Sequence, residues 1–219
     1  MQPLSIYFAG SLFCHKDLVG NLHLAHSIEN ESKKSLRCVL PQNLESVVTR
    51  ALDVRNQDLL QVINCDLALF NFDGTDLDSG TIVEFMMAKM LDVPAVVLRT
   101  DFRWSGDQNK DGDPWNLMCS GYPRSRVILK NGMAEYQAAQ RKHQDKHPVH
   151  TVEELHDSWA KEIVSAFSEL RRMPSLFDGD QKQALAIYEW AIKFPGGGLS
   201  VPSGWCKELV SRKAAAGLI

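Results

Sequence analysis

The hydrophobic pattern of the chain alternates between short apolar runs and longer segments with helical spacing. The short runs predict buried strands over Leu4–Ala9, Leu36–Leu40, Leu67–Phe72, Pro94–Leu98 and Arg126–Leu129. Between and after them, apolar residues recur at every third or fourth position, which predicts helices over Asp17–Lys33, Leu44–Cys65, Ser79–Leu91 and Val152–Leu170. Strands that alternate with helices are typical of βαβ units, so we expect an α/β fold: a doubly wound, five-stranded parallel sheet with helices on both faces.

The last part of the chain changes character from Pro174 onward. Gln181–Phe194 has one more helical pattern, and Gly196-Gly197-Gly198 then interrupts the chain before Trp205. We therefore expect one α/β domain over residues 1–173 and a helical C-terminal extension over residues 174–219.

Composition and charge narrow the class of protein. Hydrophobic residues make up 44% of the 219 positions and charged residues 23%, which is ordinary for a globular protein. The net charge of −3 leaves no basic excess for phosphates, so we expect no nucleic-acid polymer as the main partner. The five cysteines form no Cys-x-x-Cys motif, which argues against a zinc site. The sequence shows no signal peptide and no apolar run of about 18 residues, the length of a membrane span. We expect a cytoplasmic protein that does not contact the membrane.

A cluster of carboxylates follows the third predicted strand, in the segment Asp73–Glu84. In parallel sheets the carboxyl ends of the strands form the ligand-binding edge, so this segment is a candidate for chemistry. Asp73 and Asp76 fit a turn, because an Asp-Gly pair favours one. Asp78 fits either a helix N-cap or a functional carboxylate.

Glu84 lies in the early turns of the predicted helix, on its apolar side. The residues three, four and seven positions further on are Met87, Ala88 and Leu91. An ionised carboxylate on that side is costly unless it is paired or hydrogen-bonded. Glu84 therefore either pairs with a buried arginine, reaches water through a roll of the helix, or has a function, and the neighbouring Asp78 favours function.

Two neighbouring carboxylates, one ionised and one able to carry a proton, suit the cleavage of a glycosidic bond. Asp58 is a further candidate, because Val62 and Cys65 give it apolar neighbours on its side of the preceding helix. Its distance from the ligand-binding edge does not follow from the periodicity.

The polar segment Thr100–Trp115 predicts a long loop. Its stretch Asp107–Gly112 begins like a calcium-binding loop, but Met118 occupies the twelfth position, where a bidentate glutamate is required. We therefore interpret the segment as a flexible acidic lid and expect no metal site. Trp104 and Trp115 either anchor this loop or stack on a nucleobase.

Several separated segments resemble, in the same order, the nucleoside 2-deoxyribosyltransferase family. Ile6–Gly10 is similar to the family's first strand and turn, and Asn56-Gln57-Asp58 precedes the third strand as in family members. Asp78–Glu84 resembles the family signature Asp-x-Gly-x-x-x-Glu, and Asn116–Met118 resembles a motif after the fourth strand. The resemblance spans residues 4–130.

The resemblance implies a flavodoxin-like fold and the exchange of the base on a 2′-deoxyribonucleoside. By this analogy Glu84 attacks the anomeric carbon and forms a covalent ester. Asp78 and Asp58 bind the base and pass a proton to or from its ring nitrogen. Tyr7 orients the glutamate, and Asn116 comes from the adjacent subunit of a homo-oligomer, either a dimer or a hexamer.

The same resemblance implies the partners and the rest of the site. We expect 2′-deoxyribonucleosides and free nucleobases as substrates, and the chemistry needs no metal or cofactor. Residues 1–173 form the catalytic domain in this interpretation. The further substrate-binding positions are Gly10, Phe13, Gly80 and Met118.

Two departures from the family pattern affect this interpretation. In some relatives a C-terminal carboxylate contacts the sugar, whereas this chain continues to Ile219. The first turn reads Gly10-Ser11-Leu12-Phe13, where many relatives have proline after the glycine. The related deoxynucleotide hydrolases bind a 5′-phosphate with a Gly- and Arg-rich first loop, whereas Gly10–Asp17 lacks arginine, which argues against a phosphorylated substrate. Two alternative functions fit the same segments: a deoxynucleoside N-glycoside hydrolase, and a nucleotide-sensing module without turnover.

Overall fold

The computed structural model describes residues 2–44 and 50–219, which form an α/β fold around one parallel sheet. The strands are β1 (Leu4–Ala9), β2 (Leu36–Val39), β3 (Leu67–Asn71), β4 (Ala95–Arg99) and β5 (Ser125–Leu129). Every neighbouring pair is parallel, in the order β2-β1-β3-β4-β5. The expected flavodoxin-like, doubly wound sheet is therefore confirmed, and its connections change direction between β1 and β3.

Helices cover both faces of the sheet. They are α1 (His15–Glu31), α2 (Ala51–Asn64), α3 (Ser79–Met90), α4 (Gly132–Lys142), α5 (Val149–Leu170), α6 (Gln181–Lys193) and α7 (Trp205–Ala215), with short 3-10 helices at Pro41–Asn43 and Leu117–Cys119. Within the described ranges, no helix is both long and apolar enough to cross a lipid bilayer.

The strands and most of the helices match the hydrophobic pattern, whereas α4 and α7 were not expected from it. The predicted helix Leu44–Cys65 includes residues 45–49, which lie outside the described residues, and the helix that the structure describes there begins at Ala51.

The two faces of the sheet carry separate hydrophobic layers, because alternate residues of a strand point to opposite sides. Ile6 and Phe8 belong to the layer that α1 and α5 cover. Tyr7 and Ala9 belong to the opposite layer, together with side chains of α2, α3, α6 and α7. Glu84 emerges on this second side of the sheet.

The C-terminal segment packs against the sheet as part of the second layer, to which Tyr188 of α6 contributes. A buried polar network holds it at the amino ends of the strands. Arg124 donates hydrogen bonds to Asp92 (2.6 Å) and to the carbonyl of Leu218 (2.9 Å), and Ser175 donates to the same Asp92 carboxylate at 2.9 Å. The boundary at residue 174 stays a prediction.

Candidate active site

A short hydrogen bond joins β1 to α3 at the centre of the candidate site. Tyr7 lies within β1 and Glu84 lies in the second turn of α3. The Tyr7 hydroxyl donates to Glu84 Oε1 at 2.6 Å. The tyrosine ring is fully buried between the sheet and its covering helices, so the position of its hydroxyl is fixed by packing.

The surroundings of Glu84 bring its ionisation into the neutral range. Burial is the largest cause and raises the pKa of Glu84, the hydrogen bond from Tyr7 lowers it, and the charges of Asp58 and Asp78 raise it again, to about 7. Burial, reinforced by the charges of Glu84 and Asp58, holds the pKa of Tyr7 far above its usual range. Tyr7 therefore remains a donor at any physiological pH, and Glu84 is a carboxyl group that gains and loses its proton near pH 7.

Asp78 is the N-cap of α3. Its Oδ2 accepts hydrogen bonds from the backbone N–H of Thr81 at 2.7 Å and from the Thr81 hydroxyl at 2.9 Å. A side chain at Gly80 would place its Cβ 3.1 Å from the same Oδ2, so glycine leaves this side of the carboxylate open. The capping interpretation of Asp78 is therefore observed, and its charge acts on Glu84 at the same time.

Asp58 lies on α2, which packs beside α3. The side chain is partly buried, and its charge raises the pKa of both Glu84 and Tyr7. The βαβ order brings together four of the residues singled out in the sequence: Tyr7, Asp58, Asp78 and Glu84.

The remaining sequence candidates are Gly10, Phe13, Asn116 and Met118. A Cβ at Gly10 would lie 3.0 Å from that of Asn71, so this glycine permits the close approach of the ends of β1 and β3. The Phe13 side chain is 78% exposed. Asn116 and Met118 are also exposed, and the Asn116 side chain accepts a hydrogen bond of 2.9 Å from the Met118 N–H.

An aromatic side chain links the Met118 segment to α3. The Tyr122 hydroxyl donates to the carbonyl of Met118 at 3.1 Å, and its ring lies edge-on to Phe85, with 5.4 Å between the ring centroids. The rings of Tyr122 and Phe85 thus connect the exposed segment to the helix that carries Glu84.

Sequence reasoning did not find the contribution of Thr81, whose amide and hydroxyl both hold Asp78. The signal was present in the sequence, since an Asp N-cap typically accepts a hydrogen bond from the N–H of the third residue of its helix, which is Thr81 here. The loops after β3 and β4 are joined by Asp73, whose carboxylate accepts from the Thr100 hydroxyl at 2.7 Å and from the Asp101 N–H at 2.8 Å.

The two tryptophans of the long loop differ in their surroundings. Trp115 is buried edge-on against Phe72, with 5.3 Å between the ring centroids, and therefore anchors the loop. Trp104 is about half exposed.

Comparison with known proteins identifies the family. A sequence model described as Nucleoside 2-deoxyribosyltransferase matches residues 6–118, about half of the 219-residue chain. The chain belongs to the nucleoside 2-deoxyribosyltransferase family. The family match includes all four residues of the Tyr7–Glu84 cluster.

Solved structures in this family's fold resemble the chain at low sequence identity. A conserved protein from Enterococcus faecalis V583 is 25% identical, with a TM-score of 0.50, covering 64% of this chain and 99% of that protein. A 2-desoxiribosyltransferase from Leishmania mexicana is 20% identical, with a TM-score of 0.46 and the same two coverages. A 2-deoxyribosyltransferase from Bacillus psychrosaccharolyticus is 18% identical, with a TM-score of 0.37, covering 45% of this chain and 74% of that one. No curated protein sequence matches the chain.

Membership of the nucleoside 2-deoxyribosyltransferase family supports a deoxyribosyltransferase type of function, with nucleosides and nucleobases as the class of substrate.

Proposed function

We propose that the protein transfers the 2-deoxyribosyl group from one nucleobase to another through a covalent ester on Glu84. The observation that carries the proposal is the 2.6 Å hydrogen bond from Tyr7 to a glutamate whose pKa is raised to about 7 by burial and by two neighbouring aspartates. A nucleophile of this kind ionises at the working pH and is oriented by its donor.

In the first half-reaction the ionised Glu84 attacks C1′ of the deoxynucleoside through Oε2, because Tyr7 holds Oε1. The C1′–O bond forms while the C1′–N bond breaks, and the base leaves with the electron pair. A proton must reach its ring nitrogen for the base to depart as a neutral molecule. We assign the transfer of this proton from solvent to the base to Asp58 and Asp78, the two carboxylates whose charges act on Glu84.

In the second half-reaction a ring nitrogen of the incoming base attacks C1′, and its proton passes back to solvent through the same two aspartates. Glu84 leaves with the electron pair of the C1′–O bond and becomes a carboxylate again. Two inversions retain the β configuration of the nucleoside. Asp78 orients the base through its charge and holds the start of α3 through its cap.

Intact-mass spectrometry of the protein mixed with a deoxynucleoside tests the covalent step. We expect a mass increase of one deoxyribosyl group on the wild type and none on Glu84→Gln. A wild type that turns over the nucleoside without any adduct in rapidly quenched samples would contradict the ester. Assays with and without a second base separate transfer from hydrolysis, because release of free sugar with no new nucleoside identifies a hydrolase.

We also propose a homo-oligomer in which Asn116 of a neighbouring subunit completes the site. The supporting observation is a row of exposed apolar side chains on α3, Val83, Met86 and Met90. Leu117 and Met118 are exposed as well, and Tyr122 links their segment to α3. Exposed apolar patches of this kind are typical of protein interfaces.

Mixing two inactive variants, Asn116→Ala and Glu84→Gln, tests the shared site. For a dimer that exchanges subunits at random, about a quarter of the sites regain both residues, and activity returns in that proportion. Native mass spectrometry verifies that the two variants exchange subunits. If activity does not return although subunits exchange, Asn116 acts within its own subunit or not at all.

A further inference from the structure

The loop between α6 and α7 is fastened to α2 by two consecutive side chains. Arg55 Nη2 donates to the carbonyls of Pro195 (3.3 Å) and Gly196 (3.2 Å). Asn56 Nδ2 donates to the carbonyl of Gly197 at 2.9 Å. Three successive backbone carbonyls of the C-terminal segment are thus bound by one turn of α2.

The loop that contacts α2 has a backbone conformation that requires glycine. Gly196, Gly197 and Gly198 have φ values of +59°, +68° and +91°, a left-handed conformation that favours glycine. A Cβ at Gly197 would lie 2.9 Å from Arg55 Nη2, so a side chain at this position would have to displace the arginine that binds the loop.

On the helix, Arg55 also donates to the Asn56 side-chain oxygen, at 2.7 Å from Nη2 and 3.2 Å from Nε. This bond fixes the orientation of the Asn56 amide. Asn56 itself is only 9% exposed. An amide that is buried and bonded on both of its polar atoms is costly to disturb.

The fastened turn of α2 is the one that precedes Asp58. A helix between two parallel strands runs antiparallel to them, so the start of α2 lies at the carboxyl edge of the sheet, where the candidate site is. The charged or titratable groups that act on Glu84 are Tyr7 from β1, Asp58 from α2 and Asp78 at the start of α3. Of these, only Asp58 depends on the placement of α2.

We infer that Asn56 is a positioning residue, which uses its hydrogen bond to Gly197 to hold Asp58 at its working distance from Glu84. The inference rests on the proposed function, in which Asp58 and Glu84 act together. Gly197 lies in the C-terminal segment, beyond the family match at residues 6–118. By this inference, a residue outside the match contributes to the geometry of the candidate site.

Two variants break this contact from opposite sides. Asn56→Leu removes the amide while keeping the branched shape of the side chain. Gly197→Ala strains the loop at its positive φ and places a Cβ 2.9 Å from Arg55 Nη2, so it disturbs the contact from the side of the loop. Arg212→Met is the matched control, because Arg212 of α7 donates to the carbonyl of Asn64 at the far end of α2. The control removes a contact between the same two parts of the chain, but remote from Asp58.

The primary measurement is an NMR titration of the Glu84 carboxyl carbon without substrate, with the resonance assigned by its absence in Glu84→Gln. Because the charge of Asp58 raises the pKa of Glu84, Asn56→Leu and Gly197→Ala should both lower that pKa by about 0.5, and Arg212→Met should leave it unchanged. In the base-exchange assay, kcat/KM should fall about tenfold in both Asn56→Leu and Gly197→Ala, mainly through a lower kcat.

An unchanged or raised pKa of Glu84 in folded Gly197→Ala, or an equal decrease in Arg212→Met, would overturn the inference. Gly197→Ala decides the question if Asn56→Leu does not fold. A wild type that exchanges no base would refute the proposed function, whereas the titration would still decide whether the loop positions Asp58.

Discussion

Replacing Glu84 by glutamine should stabilise the folded protein, and the gain should grow with pH. The folded-state pKa of Glu84 is about 7 against an ordinary value of 4.5. A raised pKa means that folding favours the protonated form, so the group's contribution to stability is fully present below pH 4.5 and is lost as the pH rises through 7. Each pH unit of difference corresponds to about 1.4 kcal/mol, which makes the full loss in the wild type about 3 kcal/mol. A neutral glutamine does not suffer this loss.

Urea denaturation at pH 5 and pH 8 measures the effect. In the wild type, deprotonation of Glu84 lowers the free energy of unfolding by about 1 kcal/mol at pH 5 and by about 3 kcal/mol at pH 8, and Glu84→Gln removes this loss. The difference in free energy of unfolding between the variant and the wild type should therefore be about 2 kcal/mol larger at pH 8 than at pH 5. A constant difference in packing between the two side chains cancels in this comparison.

The control for this measurement is Glu31→Gln, at the exposed last residue of α1, which should show no such trend. A difference between Glu84→Gln and the wild type that is the same at both pH values would refute the electrostatic reasoning, because it would mean that Glu84 titrates in the folded protein as it does in the unfolded chain.

Three further substitutions test single contacts of the structure. Tyr7→Phe removes the hydrogen bond that lowers the pKa of Glu84, so the acid limb of the pH profile of kcat/KM should move to higher pH. Asp78→Asn should keep the helix cap, so the free energy of unfolding should fall by less than about 1 kcal/mol while the rate of base exchange falls about 100-fold. A decrease in the exchange rate no larger than the loss of stability accounts for would contradict the functional assignment of Asp78. Arg124→Met leaves the buried Asp92 without its cation and should lower the free energy of unfolding by about 3–5 kcal/mol, whereas a loss below about 1 kcal/mol would show that the pair is not a structural link.

The parts of the fold that sequence reasoning predicts are those with a strong local pattern. The strands are continuous apolar runs because helices cover both sides of a parallel sheet. The buried side of α3 could be deduced in the same way, since Met87 and Ala88 follow Glu84 at helical spacing and both are buried. This local pattern was enough to single out Glu84 as a carboxylate that needs an explanation.

The helices that sequence reasoning did not predict bury few apolar residues. Of the residues of α4, Ala139 is the buried one, so its hydrophobic pattern is nearly absent. The buried residues of α7 are Cys206, Leu209, Val210 and Lys213, which do follow helical spacing. A lysine at the last of these positions hides the pattern, and here its ammonium group is bonded to a backbone carbonyl inside the protein.

The relation between Asp58 and Glu84 could not be deduced from either helix alone. It depends on β1 lying next to β3 and on α2 and α3 packing side by side, which are contacts between distant parts of the chain. Lys89 and Asp92 illustrate the same limit, because both fall outside the apolar stripe of α3 and yet both are buried. Their partners, Val93 and Arg124, come from the ends of neighbouring strands, where no periodicity predicts them.

The change of composition at Pro174 suggests a separate appendage, but the contacts of the C-terminal segment suggest a different role. It is bonded to α2 at two places, through Asn56 in the second turn of the helix and through Arg212 and Lys213 at Asn64 and Cys65, where the helix ends. It also buries the layer that contains Tyr7. These two attachments restrain α2 relative to the rest of the fold. If Asn56 positions Asp58 as we infer, the segment beyond the family match is part of the frame that holds the carboxylates of the candidate site in place.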